Sequence, residues 1–555
     1  MDKSNLDINR LSQQAAGVHT NGVAGSRLSK GRLRAELWDK LHFILSDFTD
    51  RMIRGEFWYD GLIDVDILKQ ALQHVVEAHP VLHSAFIDSA FRPYWAVRPY
   101  AINDILTVVE TTVIENTRAE EEDVTDGSDG SDGSDGSDGS GGSDGSGGSD
   151  GSDVTDGSDG SDRSDRSDRT EVEDGSDGSD GSDGSDRTEG SDGSDGTDGT
   201  EGSDGSDGSG GSDRLGKVRY DFMNQVIPAD HNVQFKVALI NHKGKSMLCV
   251  LANHMCMDGK GAYMLFEQTA RIYTALKKRQ SMPAIKAGSR AASMVYSRMS
   301  LWNKLGAWLL LKNISRLKEK RTFAFEKEHV ADSLQMVVQK WSLEDADNIR
   351  EIAKRRQVTV NDVLLSCYAH ALCETSNFPE GRPFTVTCMV DNRKYIKPSA
   401  TIGLTNHVGL LQLKMDRCES TIEKTLHCVH NLTKRGKNKH YFGLSGIPLI
   451  GLGYVLPFFI VKPGTRLWFT PPVLGFSNLG IIPHEPLAMG DVALEDIMVM
   501  GPSQYKRHLT IAIQMMHNRL LFGAAVRGSE KDKEKIQDLF TNMRKHMREL
   551  LRNEE

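Results

Sequence analysis

Between Thr125 and Asp213 the chain is almost entirely Ser, Asp and Gly in a three-residue repeat. The stretch has no aromatic residue, and Val154 and Val172 are its only aliphatic ones. Such a segment cannot bury enough apolar surface to offset the entropy lost on ordering. Residues 124–213 are therefore expected to form a disordered acidic insertion, with 1–30 as a flexible N-terminus. The remainder is large enough for two lobes of ordinary size. The repeat has neither the nine-residue period of a calcium-binding β-helix nor the twelve-residue ligand pattern of an EF-hand.

The insertion also masks the charge of what folds. It holds 28 acidic residues and four arginines, a net −24, while the whole chain is −10, so the remainder carries +14. A positive body suits anionic ligands such as nucleotide phosphates or acidic carriers, although a solvated surface explains it as well. No nucleic-acid-binding module accompanies the charge, so no nucleic-acid partner is expected.

Seven cysteines occur, at 249, 256, 367, 373, 388, 418 and 428, with no Cys-x-x-Cys pair. Several lie in apolar runs. They read as structural thiols in a reducing, cytoplasmic setting without a disulfide frame. The N-terminus lacks the apolar core of a signal peptide. Residues 442–461 are apolar enough to suggest a span, but Pro448, Pro457 and four glycines break it. A buried or peripheral loop is the expectation there, with peripheral membrane contact as the alternative.

The periodicities alternate. Asp60–Phe86 holds a helix with Val65, Leu68, Leu72 and Val75 on one face, ended by Pro80. Strands are expected at 234–240 and 246–252, then a helix from Gly261 and another over 300–320. A polar stretch at 321–335 reads as a linker. Beyond it, helices are expected at 343–356, 361–375, 421–434 and 533–551, and strands at 383–390, 407–415, 473–480, 494–500 and 509–526. This alternation predicts α/β layers in both parts, 31–123 with 214–320 and then 336–555.

The segment ANHMCMDGKG at 252–261 closes a strand and opens a helix, and it contains the single His-x-x-x-Asp of the sequence. Histidine is the side chain best suited to removing a proton near neutral pH. In such a connection His254 is a candidate general base, Asp258 a residue that orients the ring or ties the loop, and Gly259 the pivot of a tight turn.

HMCMDG at 254–259 resembles the His-x-x-x-Asp-Gly motif of the CoA-dependent acyltransferase superfamily. That superfamily includes chloramphenicol acetyltransferase, condensation domains, plant BAHD enzymes, wax ester synthases and polyketide-associated acyltransferases. Further segments agree in order. GLIDVDILKQALQHVVEAHPVLHSAF (61–86) is similar to the first helix-and-strand signature, and TVNDVLLSCYAHAL (359–372) to the second-lobe helix. MVDNRKYI (389–396) resembles the Asp-x-Arg segment, and FSNLG (476–480) the Ser-Asn motif. There are departures. Asn253 replaces the first of two histidines usual in condensation domains, LHSAF carries His83 and Ser84 where an arginine is common, and Asp-Phe-Gly-Trp-Gly is absent. The nearest branches are therefore alcohol acetyltransferases, wax ester synthases and polyketide-associated enzymes.

The resemblance implies two similar chloramphenicol-acetyltransferase-like lobes with a tunnel at their interface. It implies a monomer with acyl-CoA as donor, a small alcohol or amine as acceptor, and no bound cofactor or metal. His254 would be the base, Asp258 would pair with Arg393, and Ser477 or Asn478 would support the oxyanion. Cys256 is not expected to be a nucleophile. Arg355, Arg356, Lys434, Arg435 and Lys437 are candidates for the CoA phosphates, although a solvated helix face explains them equally well. The alternatives are a condensation-like enzyme fed by a carrier-protein thioester, and a catalytically silent scaffold of the same fold.

Overall fold

The computed structural model describes residues 31–110, 209–303, 321–326, 333–379, 381–437, 453–469, 471–505 and 508–552. Most of the insertion, most of the expected 300–320 helix and residues 442–452 lie outside them. Residues Ser209–Met223, which start inside the stretch read as disordered, form a helix.

Two sheets carry the fold. The first comprises Met52–Tyr59 (β1), Leu106–Glu110 (β2), Phe235–His242 (β3), Lys245–Asn253 (β4) and a late strand described below. β1 pairs antiparallel with β4, β4 with β3, and β2 runs parallel to β3. Two helices cover it, Val65–Ala78 (α1) and Gly259–Lys277 (α2), burying Leu68, Leu72, Val75, Leu265 and Phe266. Asp64 caps α1 by accepting the main-chain N–H groups of Asp66 and Ile67, and Pro80 follows its end. A small three-stranded sheet, Arg32–Arg34, Tyr94–Val97 and Ser84–Ile87, flanks this lobe.

The second sheet has six strands. In spatial order they are Val408–Met415, Phe384–Asp391, Leu474–Ile481, Leu509–Met516, Arg519–Gly528 and Ser333–Trp341. The helices Val360–Thr375 and Glu530–Arg552 bury their apolar faces in its core, where Tyr368, Phe476, Phe522 and Phe540 meet. Thr359 and Asp362 form a capping box that starts the first of these helices.

The strand Leu494–Met500, which the sequence placed with the second lobe, hydrogen-bonds antiparallel to β1 and forms the edge of the first sheet. The two halves are therefore joined by main chain as well as by side chains. Gly523 permits the crossing: a Cβ there would lie 1.8 Å from Met498 Cε.

The expectation of no disulfide is corrected. Cys373, near the end of the Val360–Thr375 helix, is bonded to Cys418, just before the helix Ile422–Lys437. Packing of these helices brings their Cα atoms to 6.0 Å, although 45 residues separate them in sequence. No spacing motif signals such a pair. Cys249, Cys256, Cys367, Cys388 and Cys428 are free thiols.

Candidate active site

β4 ends at Asn253, and the chain turns through 254–258 into α2. The turn is held from below. Asn253 Nδ2 donates to Gln234 Oε1 at 2.8 Å, and Asn253 Oδ1 accepts the N–H of Met255. The residue standing where condensation domains carry a first histidine is therefore a buried structural amide. The His254 N–H donates to the carbonyl of Arg51 at 2.7 Å, a residue with φ of +64°. Asn406, from the other lobe, donates its Nδ2 to the His254 carbonyl at 2.7 Å.

His254 lines a cavity of about 220 Å³ whose wall comes from both lobes. Its Nδ1 is enclosed and makes no hydrogen bond. Burial lowers its pKa below the ordinary value of 6.5, with nearby Asp258 and Asn406 offsetting part of the effect. The imidazole is thus unprotonated at neutral pH. Its ring stacks on that of His42 with centroids 4.3 Å apart. His42 also lines the cavity, and burial, His254 and Arg51 push its pKa well below the ordinary value. Sequence reading missed His42, because its short helix Leu37–Ile44 carries no motif.

Asp258 is the N-cap of α2 and accepts the N–H of Gly261 at 2.9 Å. Arg393 grips the same carboxylate with both terminal nitrogens, each at 2.9 Å, and the N–H of His407 donates at 2.9 Å. The ion pair expected between Asp258 and Arg393 is present. Burial would raise the Asp258 pKa, but Arg393 and the main-chain donors outweigh it and hold the carboxyl below its usual range. With its oxygens so engaged, Asp258 orients the loop and the lobe contact rather than the imidazole.

Gly259 follows, and a Cβ there would lie 2.9 Å from Leu479 Cδ2. Ser477 and Asn478, on the strand Leu474–Ile481, also face the cavity. Asn478 is committed: its Nδ2 donates to Asn361 at 3.1 Å, and its Oδ1 accepts the N–H of Gly480. Cys256 is buried, its Sγ lies 3.8 Å from the Val81 carbonyl, and burial pushes the thiol pKa up. None of Arg355, Arg356, Lys434, Arg435 and Lys437 lines the cavity. Arg355 pairs with Glu351, and Lys437 lies 4.0 Å from Asp362. Among the described residues no cluster of His, Cys, Asp and Glu has the geometry of a metal site.

No family profile and no curated protein matches the chain in sequence. Solved structures do match it in fold. The first condensation domain of the calcium-dependent antibiotic synthetase, in complex with a substrate analogue, superposes with a TM-score of 0.57 at 13% identity, covering 94% of this chain and 97% of that one. A mutant starter condensation domain of rhizomide synthetase, in complex with C8-CoA and Leu-SNAC, gives 0.53 at 12%, covering 95% and 96%. Polyketide synthase associated protein 5 from Mycobacterium tuberculosis gives 0.53 at 12%, covering 93% and 98%. The chain has the two-lobed fold that these condensation-type and polyketide-associated proteins share.

Proposed function

We propose that the chain transfers an acyl group from an acyl-CoA thioester to an alcohol, or to an amine, with His254 as general base. The observation that carries this reading is the placement of an unprotonated imidazole on a cavity walled by both lobes. Because Nδ1 is enclosed, we assign the base to Nε2. In the proposed step, Nε2 takes the proton as the acceptor oxygen attacks the thioester carbonyl. The tetrahedral intermediate then collapses, expelling the CoA sulfur, which recovers that proton as free thiol. General-base help of this kind contributes roughly 10²–10⁴ in rate. Alignment of two bound substrates supplies more.

The Ser477 hydroxyl is the better oxyanion donor, since both polar ends of Asn478 already hold partners within the fold. CoA as donor is supported by the starter condensation domain's complex with C8-CoA. A carrier-protein thioester is the second reading, favoured by the fold shared with condensation domains of peptide synthetases. Incubating the protein with a panel of acyl-CoAs and alcohols, and following free thiol and product mass, tests the first reading. Thiol release that depends on the alcohol supports it. Turnover only of thioesters carried on a protein would favour the second.

A further inference from the structure

The helix Phe458–Trp468 turns much of its apolar surface outward. Its other side is fixed to the first lobe. Phe458 is buried, with its ring 6.4 Å from that of Phe43. The N–H groups of Phe458 and Phe459 donate to the carbonyls of Phe91 and Ala90 at 3.1 and 2.8 Å. Lys462 pairs with Asp88 at 2.8 Å, and Arg466 with Asp47 at 3.1 Å. These ties decide which side meets water. Phe459, Ile460 and Leu467 lie on it, and Leu456 sits just before the helix. Val455 precedes the helix, and Phe91 packs edge-on against Phe459 at 5.7 Å. Leu467 is 81% exposed, Val455 79% and Phe91 67%. Single exposed apolar side chains are ordinary, but a cluster of six marks a surface that something covers.

Charge indicates what covers it. Arg34 lies over the Tyr454 ring at 4.1 Å, and Arg92 adjoins Phe91; both are exposed. Lys40, behind them, is buried and donates to the Gly453 carbonyl at 3.0 Å, so Arg34 and Arg92 are the cations this edge exposes. An apolar helix face edged by cations matches a bilayer surface bearing anionic headgroups. The helix also leads through Phe469 to Pro471 and Pro472, which line the cavity. We propose that the face formed by Phe91 and Val455–Leu467 docks on an anionic membrane surface, setting the cavity wall beside that surface. The assignment does not depend on His254 acting as a base.

Sedimentation of the full chain with vesicles tests it, comparing phosphatidylcholine alone with phosphatidylcholine containing about 30 mole per cent phosphatidylserine. The protein should sediment with the anionic vesicles and less so in ~0.5 M salt. Phe459→Asp with Leu467→Asp should weaken partition roughly tenfold or more, as should Arg34→Glu with Arg92→Glu. Melting curves matching the parent show that each variant is folded. The proposal is overturned if the parent stays in the supernatant with both vesicle types, or if the Asp pair binds as well as the parent. It is also overturned if the parent forms a dimer that the Asp pair abolishes and does not sediment, which would make a second copy the occupant. Acyl-CoA turnover in vesicle-free solution, read on the same samples, separates a failure of docking from a failure of acyl transfer.

Discussion

At the scale of residues, the site depends on two groups kept in opposite charge states by their surroundings. His254 is held neutral by burial. Asp258 is held ionised in the same turn by Arg393 and main-chain N–H groups. Removing one side of a buried, doubly hydrogen-bonded ion pair leaves an uncompensated charge. Asp258→Asn should therefore cost ~3–5 kcal/mol, read as a drop in the urea midpoint. Arg393→Ala should cost a comparable amount, and the double variant less than the sum of the two. His407, whose main chain completes this cluster, is buried, and burial with the neighbouring Arg393 lowers its pKa from 6.5 to about 4. Between those values the unfolded chain binds the proton that the folded chain refuses, so stability is full above 6.5 and falls as pH drops toward 4. Urea midpoints at pH 7 and pH 5 should show it, the second being lower; equal midpoints would contradict it.

At the scale of elements, the loop that grips Asp258 is itself set by a close backbone crossing. Ser289 donates its N–H to the Thr401 carbonyl at 3.0 Å, and Gly403 donates to the Ser289 carbonyl at 2.9 Å. Gly288 sits at φ +67°, and a Cβ there would lie 2.4 Å from the carbonyl carbon of Ile402. Backbone cannot yield as a side-chain tip can. Gly288→Ala should therefore destabilise by ~3 kcal/mol or more and weaken acyl transfer with it, since residues 405–407 follow directly. A melting temperature within a degree or so of the parent would contradict this account of the crossing. The Cys373–Cys418 link makes a second prediction for this scale. Thiol titration of the denatured, unreduced chain should count five groups rather than seven. The helices themselves were legible, because periodicity is local: α1 was expected within 60–86 and α2 from Gly261, while the caps Asp64 and Asp258 that set their starts were not read as caps. The disulfide was not, because helix packing alone brings its halves together.

At the scale of the whole molecule, the two-lobed α/β fold was readable from alternating periods and ordered motifs, while the way the lobes interlock was not. β1 escaped notice because Arg54 and Glu56 interrupt its apolar pattern. Both are fully buried, Arg54 paired with Asp50 at 2.5 Å and Glu56 with Arg219 at 2.6 Å. The strand Leu494–Met500 was seen as a strand, but its residues do not reveal which sheet receives it. The site was legible where one short segment holds it, as at 254–259, and illegible where a distant helix supplies His42. What unites the halves functionally is the cavity between them, and the account stands on His254 acting there. The most direct test compares alcohol-dependent thiol release from acyl-CoA by the parent and by His254→Ala, with melting curves confirming both are folded. The account predicts a loss of roughly 10²–10⁴ in rate at unchanged stability. A variant that turns over as fast as the parent would contradict it.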